Sequence, residues 1–197
     1  MGNHRTIGKS AGKNRRSIRL QEYDYSQAGA YFITICTQNR KCLFGDIVND
    51  QMVLNNAGRV VADEWQNTPH LRPNVELDEF VVMPNHCHGI VVITETRRGV
   101  LQYAPTPETP RLRSPSQTIG AIIRGFKSAV TKRINQMRGT PGVSVWQRGF
   151  YEHIIRNENE FNRTREYTAN NPLQWELDRE NPNMQRHTGQ SQEYPWT

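Results

Sequence analysis

Apolar and polar residues alternate along several short segments of the chain, a spacing that predicts β-strands. The predicted strands cover residues 31–37 (YFITICT), 75–83 (VELDEFVVM), 86–94 (HCHGIVVIT) and 143–156 (VSVWQRGFYEHIIR). Residues 45–55 (GDIVNDQMVLN) predict a hairpin whose turn is Asn49-Asp50, because these residue types tolerate the backbone of a tight turn. Pro84-Asn85 predicts a second turn, between the two middle strands.

Three other segments have apolar residues at helical spacing. The first covers residues 57–67, with Asn55 or Asn56 as its N-cap, and the second is a strongly amphipathic helix within 116–137. The third begins at a capping box formed by Asn157 and Glu160 and ends before Pro172. The order of the elements predicts an α+β protein, an antiparallel sheet backed by helices.

A low apolar fraction of 35% in 197 residues favours one domain with polar material outside its core. Residues 1–21 are expected to form a basic flexible N-terminal arm, and residues 177–197 a polar C-terminal tail. The domain between them, 22–176, contains a proline-rich loop at 103–117. The net charge of +6 favours a polyanionic partner such as a nucleic acid.

The three cysteines form no CxxC motif, and their odd number argues against a disulfide framework. No apolar run is long enough for a secretory signal or a membrane span. The expected location is therefore the cytoplasm, without a membrane partner.

Two histidines occupy the strand at 86–94. Because alternate residues of a strand point to the same side, His86 and His88 project together and Cys87 faces the other way. Two adjacent imidazoles can bind one divalent cation, although hydrogen-bonded structural histidines give the same pattern. The neighbouring cysteine also suggests zinc, but its orientation favours a small buried apolar role.

The last predicted helix carries Tyr167 and Asn171, which lie one turn apart on the same helical face. A tyrosine hydroxyl beside a cation-bound phosphate is a candidate nucleophile. An amphipathic-helix tyrosine and a helix-terminal cap are the alternative interpretations of these two residues.

Four segments, MPNHCHGIVV, GAIIRGFKSAVTKRIN, VWQRGFYEHIIRNENEF and REYTANNP, together resemble the IS200-like single-tyrosine transposases of the HUH endonuclease superfamily. They are most similar to the REP-associated tyrosine transposases, and the resemblance covers roughly residues 22–176. It implies a ferredoxin-like antiparallel sheet with helices packed on one face. Cys87 departs from the family pattern, which usually has a bulky hydrophobic residue at that position.

The resemblance also implies an activity. His86, His88 and Asn171 would bind Mg²⁺ or Mn²⁺, and Tyr167 would attack single-stranded DNA to give a 5′-phosphotyrosine and a free 3′-hydroxyl. The expected substrate is hairpin DNA of the REP type, and the expected location is the bacterial cytoplasm, in association with the nucleoid. Members of the family act as monomers or homodimers, so both states are compatible with the resemblance.

Seven basic residues are placed to contact DNA phosphates. They are Arg15, Arg16 and Arg19 in the arm, Arg124, Lys127 and Lys132 on the amphipathic helix, and Arg148 near the last strand. Trp146 and Phe150 could stack on bases, but a tryptophan at the start of a strand is more typical of a core, which is the role expected for Trp146.

Two other functions remain compatible with the sequence. A non-catalytic protein that binds hairpin or single-stranded DNA would have the same fold, although the presence of both histidines, Tyr167 and Asn171 favours an enzyme. A zinc hydrolase built on the histidines and Cys87 is disfavoured, because no further zinc-type ligand lies at a close spacing.

Overall fold

A computed structural model describes residues 27–94, 118–184, 194 and 196. The strands are β1 (Gly29–Cys36), β2 (Gly45–Val48), β3 (Gln51–Leu54), β4 (Val75–Val82), β5 (His86–Ile93) and β6 (Tyr151–Ile155). The α-helices are α1 (Asn56–Gln66), α2 (Thr68–Leu71), α3 (Ile119–Arg138) and α4 (Glu158–Ala169). Short 3-10 turns cover Gln38–Arg40 and Pro172–Leu177.

Four strands form one antiparallel sheet in the order β4-β5-β1-β6, and β2 pairs with β3 in a separate hairpin. Without the hairpin, α2 and α4, the chain runs β1-α1-β4-β5-α3-β6, a split βαβ repeated once. The two central strands, β1 and β5, are thus flanked by β6 and β4. This is the ferredoxin-like arrangement, and the predicted fold class is confirmed.

The two faces of the sheet have different partners because side chains alternate along each strand. Tyr31, Ile33 and Ile35 of β1 belong to the main core, together with the apolar stripes of α1 and α3. Phe32 points to the opposite face, where it lies in a smaller cluster with Ile90 and residues of α4. Two helices therefore cover one face, as expected, and α4 crosses the other.

The local signals at the hairpin and at α1 are confirmed. Asn49 and Asp50 have positive φ angles of 49° and 59°, as the tight turn between β2 and β3 requires. Asn55 is the N-cap of α1, and its side chain accepts hydrogen bonds from the amides of Ala57 and Gly58.

The strand predicted over 143–156 is too long, because only its last third joins the sheet as β6. Trp146 makes an isolated bridge to Thr37 and, as expected, lies in the core with 4% of its surface exposed. Beyond it, Gly149 has a φ of 85°, and the carbonyl oxygens of Gln147 and Gly149 accept hydrogen bonds from Lys127. The positive φ of Gly149 interrupts the extended backbone, so the regular strand begins only at Tyr151.

The predicted N-terminal arm at 1–21 and the proline-rich loop at 103–117 lie outside the described residues. Within the described part of the chain, no helix combines the length and the apolar character needed to cross a membrane.

Candidate active site

The two histidines of β5 face α4, on the side of the sheet opposite the main core. His86 and His88 are 0% and 1% exposed, and their Nε2 atoms lie 3.0 Å apart. Cys87 points the other way, into the core between the sheet and α3, as the strand alternation predicts. Its thiol is therefore not part of the histidine cluster.

Asn85 fixes the orientation and the tautomer of His86. The Asn85 amide nitrogen donates to the carbonyl oxygens of Arg40 and Glu180, at 3.2 and 2.6 Å. The remaining amide oxygen lies 2.8 Å from His86 Nδ1, so that nitrogen must donate and carry the ring hydrogen. The lone pair of His86 is consequently on Nε2, the atom that faces His88.

His88 is held from its other side. Its Nδ1 lies 2.9 Å from the hydroxyl oxygen of Thr34, on the neighbouring strand β1. The Phe32 ring stacks on the imidazole at a centroid distance of 5.2 Å. Such contacts at the far side of an imidazole are the usual means of orienting a metal ligand.

Asp178 completes a group of three ligand atoms. Its Oδ2 lies 3.6 Å from His86 Nε2, and one ligand atom from each of His86, His88 and Asp178 lies within 4.8 Å of the others. The carboxyl is 1% exposed, and Oδ2 has no hydrogen-bond partner among the described residues. Burial raises the pKa of Asp178 to about 6.

The electrostatics of this group suit a cation. Burial lowers the pKa of His86 to about 4 and also holds the pKa of His88 well below its usual value, with His86 as a second cause. Both imidazoles are therefore neutral at physiological pH, the form that binds metals.

The spacing also suits a cation. Two ligand atoms at right angles around an octahedral ion, each about 2.1 Å from it, lie about 3.0 Å apart. The distance between the two Nε2 atoms has this value. The two imidazoles and the Asp178 carboxylate, whose Oδ2 has no hydrogen-bond partner among the described residues, thus form a group that can hold a divalent metal.

Helix α4 is fastened to the sheet so that Tyr167 faces the histidines. Its N-cap Asn157 accepts from the amide of Glu160, and the Glu160 carboxylate pairs with His153 of β6 at 2.6 Å. Arg165 donates from Nε and Nη2 to the two oxygens of Asp78 on β4, both at 2.6 Å.

The Tyr167 ring lies 5.5 Å from the His88 ring, measured between centroids. Tyr194 and Trp196 belong to the same apolar cluster as Phe32 and Tyr167. Their ring centroids lie 5.8 and 6.5 Å from that of Tyr167. Burial raises the pKa of the Tyr167 hydroxyl, and the negative charge of Asp178 adds to the effect.

Asn171 lies just after α4, one turn beyond Tyr167, and is completely buried. Its carboxamide is close enough to influence the pKa of His86, Tyr167 and Asp178, in each case after burial as the largest cause. Neither of its polar atoms makes a hydrogen bond of good geometry with the described residues. The amide is therefore positioned beside the three-ligand group with unused donor and acceptor capacity.

The basic residues predicted to contact DNA lie in different places. Arg15, Arg16 and Arg19 lie outside the described residues. Arg124 and Lys132 are exposed on α3, which packs on the face of the sheet opposite the histidines. Lys127 donates to the carbonyl oxygens of Gln147 and Gly149. Arg148 lines a cleft on the histidine side of the sheet.

Sequence reasoning missed Asp178. It follows the 3-10 turn Pro172–Leu177, in a segment whose composition predicts a polar tail, and no periodicity or motif distinguishes it from neighbouring acidic residues. Only the path of the chain back over β5 places it beside His86.

No known family model matches the chain. Two solved structures share part of its architecture. One is a REP-associated tyrosine transposase bound to a REP hairpin, with 20% identity and a TM-score of 0.49, covering 80% of this chain and 74% of that one. The other is a candidate transposase from Deinococcus radiodurans, with 16% identity and a TM-score of 0.39, covering 78% and 97%. Neither likeness is close enough to assign a function.

A protein of Haemophilus influenzae, described as uncharacterized, is much more similar in sequence. It is 48% identical over 169 residues, which are 84% of this chain and 92% of that protein. At this identity and coverage, the chain belongs to the same family as the Haemophilus influenzae protein.

Proposed function

We propose that the protein is a metal-dependent single-stranded DNA endonuclease and strand transferase, a transposase of the IS200-like single-tyrosine type that acts through a 5′-phosphotyrosine. One observation carries the proposal. Two neutral imidazoles, a buried carboxylate and a tyrosine ring from a separate helix meet on one face of the sheet. The four segments that resemble REP-associated tyrosine transposases contain the two histidines and the tyrosine.

His86, His88 and Asn171 would hold Mg²⁺ or Mn²⁺, with Asp178 as a further oxygen ligand. When bound, the cation would offset negative charge on a non-bridging oxygen of the scissile phosphate. Asn85 and Thr34 contribute by fixing the orientation of the two imidazoles, which keeps their Nε2 atoms side by side.

Tyr167 is the proposed nucleophile. Its phenolic oxygen forms a bond to phosphorus, the bond between phosphorus and the 3′-oxygen breaks, and that oxygen leaves as a 3′-hydroxyl after taking up a proton. The phenolic proton passes to solvent. A later attack by a 3′-hydroxyl reverses these steps and rejoins a strand without an external energy source.

The environment of Tyr167 keeps its hydroxyl protonated, so the hydroxyl must be activated before it can attack phosphorus. Burial and the Asp178 charge keep the phenol protonated, because both raise its pKa, whereas the positive charge of Arg179 acts in the opposite direction. Tyr167 and the histidines that it faces belong to one chain, so a single chain supplies the proposed catalytic set. Both a monomer and a homodimer are compatible with that arrangement.

The expected substrate is a DNA hairpin with single-stranded flanks. The proposal is tested by incubating the protein with a library of such hairpins whose flanks are randomised, in Mg²⁺ or Mn²⁺, followed by a denaturing gel. Because the tyrosine joins the 5′-phosphate, a label at the 3′-end should migrate with the protein, whereas a 5′-label should appear on a shorter free strand.

The variant Tyr167→Phe should abolish the protein-linked product, and the matched variant Tyr31→Phe, in the core on the other face of the sheet, should retain it. A DNA complex that disappears on denaturation would instead indicate a non-catalytic binding protein. A protein-linked product of normal yield from Tyr167→Phe would reject Tyr167 as the nucleophile.

A further inference from the structure

A cleft opens beside the candidate metal centre. It has a volume of about 230 Å³ and lies between the end of β1, the loop before β6 and the segment after Asp178. Thr34, which contacts His88, and Tyr194, which packs near Tyr167, both line it. The cleft is therefore continuous with the histidine side of the sheet.

Three arginines line this cleft: Arg40, Arg148 and Arg179. The only carboxylate among its described lining residues is that of Glu180. The thiol of Cys36, also in the lining, stays uncharged because burial raises its pKa to about 12. Three guanidinium groups against one carboxylate give the cleft a net positive charge, which favours an anion.

Glu180 organises two of the arginines. Its carboxylate is buried and lies 3.0 Å from Arg40 Nε and 3.6 Å from Arg179 Nε, and its backbone carbonyl accepts from Asn85. The Arg179 guanidinium also lies over the Tyr194 ring, 4.8 Å from the centroid. Arg40 is thus held through Nε and also through Nη1, which donates to the Arg179 carbonyl at 3.5 Å. Arg179 is held through Nε, and its terminal nitrogens have no acceptor among the described residues.

Arg148 differs from the other two. It is exposed, and within the described ranges it has neither a carboxylate partner nor a hydrogen-bond acceptor. An unpaired guanidinium in the same cleft as a preorganised pair is the arrangement expected where several arginines bind one oxyanion, since the planar fork of arginine matches phosphate oxygens.

The size of the cleft limits the ligand. Its volume suits a phosphate with its attached sugar and does not suit a duplex. From charge, geometry and size together, we infer that the cleft binds a backbone phosphate of the single DNA strand that enters the metal centre, gripped by Arg148 together with Arg40 and Arg179. The inference rests on the proposed function and adds a subsite to it. The sequence alone indicates Arg148 and gives no signal for Arg40 and Arg179.

The test uses binding alone, without cleavage. The probe is a fluorescent oligodeoxythymidine of about 12 nucleotides, within the usual range for single-strand grooves, and its affinity is measured by anisotropy in EDTA over a series of salt concentrations. Each phosphate contact on a single strand contributes about 0.7 to the slope of log K against log salt. The slope is negative, so Arg148→Ala should make it less steep by about 0.7.

Two variants sharpen the test. Arg148→Lys keeps the positive charge and should keep the slope while weakening binding, because the fork is lost. Arg59→Ala removes an exposed arginine of α1, on the opposite face, and should leave both slope and affinity unchanged. The subsite would be overturned if the slope of Arg148→Ala equalled that of the unaltered protein. It would also be overturned if Arg59→Ala made the slope less steep by the same amount.

Failure of the subsite and failure of the proposed function give different results. Tyr167→Phe should bind the probe with the slope of the unaltered protein, since its hydroxyl is not needed for this contact. A missing covalent product with an Arg148-dependent slope would reject the nucleophile and support the cleft. A covalent product together with a slope that does not depend on Arg148 would support the nucleophile and reject the cleft as a phosphate subsite.

Discussion

Replacing Asp178 with asparagine should stabilise the metal-free protein, although Asp178 belongs to the candidate site. The carboxyl is almost fully buried, and one oxygen has no hydrogen-bond partner among the described residues. Its pKa is raised from 3.8 to about 6. At about 1.4 kcal/mol for each pH unit, the charged carboxylate lowers the free energy of unfolding by about 3 kcal/mol at pH 8.

The sign follows from proton linkage. Between pH 3.8 and about 6 the folded protein keeps a proton that the unfolded chain has lost, so the penalty grows as pH rises through this window and is complete above it. Asparagine has nearly the shape of the carboxyl and carries no charge. The gain from Asp178→Asn should therefore be about 3 kcal/mol at pH 8 and clearly smaller at pH 5.

Bound metal should reduce the stability advantage of Asp178→Asn. Loss of a ligand is expected to weaken metal binding by at least the 10- to 100-fold typical of outer-shell changes. Binding to the folded state stabilises it, and each tenfold difference in affinity corresponds to about 1.4 kcal/mol at saturating metal. Mn²⁺ should therefore raise the free energy of unfolding of the unaltered protein more than that of Asp178→Asn.

Urea denaturation at pH 8 and pH 5, each in EDTA and in Mn²⁺, gives the free energy of unfolding of both proteins under all four conditions. Asp46→Asn, which changes an exposed carboxylate of β2, is the matched control and should alter the free energy of unfolding by no more than about 0.5 kcal/mol. The reasoning would be refuted if Asp178→Asn were less stable than the unaltered protein in EDTA at pH 8, or if Mn²⁺ stabilised both proteins equally.

Three other changes follow from described contacts. Asn85→Ala leaves the carbonyls of Arg40 and Glu180 without their donor, the second of them in a buried hydrogen bond, and should cost about 1–3 kcal/mol in urea denaturation, with a 10- to 100-fold loss of Mn²⁺ affinity by calorimetry. In Gly89→Ala, the new Cβ would lie 2.4 Å from the Trp65 ring, so the free energy of unfolding should fall by about 1–3 kcal/mol. At pH 8, iodoacetamide should modify the exposed Cys42 before Cys36, because burial raises the pKa of Cys36 to about 12, and mass spectrometry of timed samples gives the order.

Each of these has a contrary outcome. Unchanged stability and metal affinity in Asn85→Ala would show that the Asn85 side chain does not fix His86. A fully stable Gly89→Ala would contradict the close approach of the Trp65 ring to β5. Faster modification of Cys36 than of Cys42 would contradict the burial of the Cys36 thiol.

The sequence predicts the sheet well because its signals are local. Alternation places His86 and His88 on one face and Cys87 on the other, and Asn49-Asp50 and Asn55 each specify a turn or a cap through their own side chains. The strand over 143–156 is wrong in length because the backbone leaves the extended conformation at Gly149, in a loop that Lys127, far away in the sequence, holds by its carbonyls.

The candidate site was only partly predictable for the same reason. His86, His88 and Tyr167 belong to periodic elements, Asn171 lies directly after one, and all four carry recognisable chemistry. Asp178 and the partners of Arg148 lie on non-periodic segments, and their positions depend on how the chain after α4 returns over the sheet. Local spacing carries no signal for such a path.

The most direct test of the central claim is to locate the covalent bond to DNA. After incubation with the hairpin library and Mn²⁺, the DNA is digested to nucleotides, the protein is cleaved with trypsin, and the peptides are sequenced by mass spectrometry. The account predicts that the peptide containing Tyr167 carries a phosphate-linked nucleotide. A nucleotide on any other residue, or cleaved DNA with no nucleotide left on the protein, would contradict it.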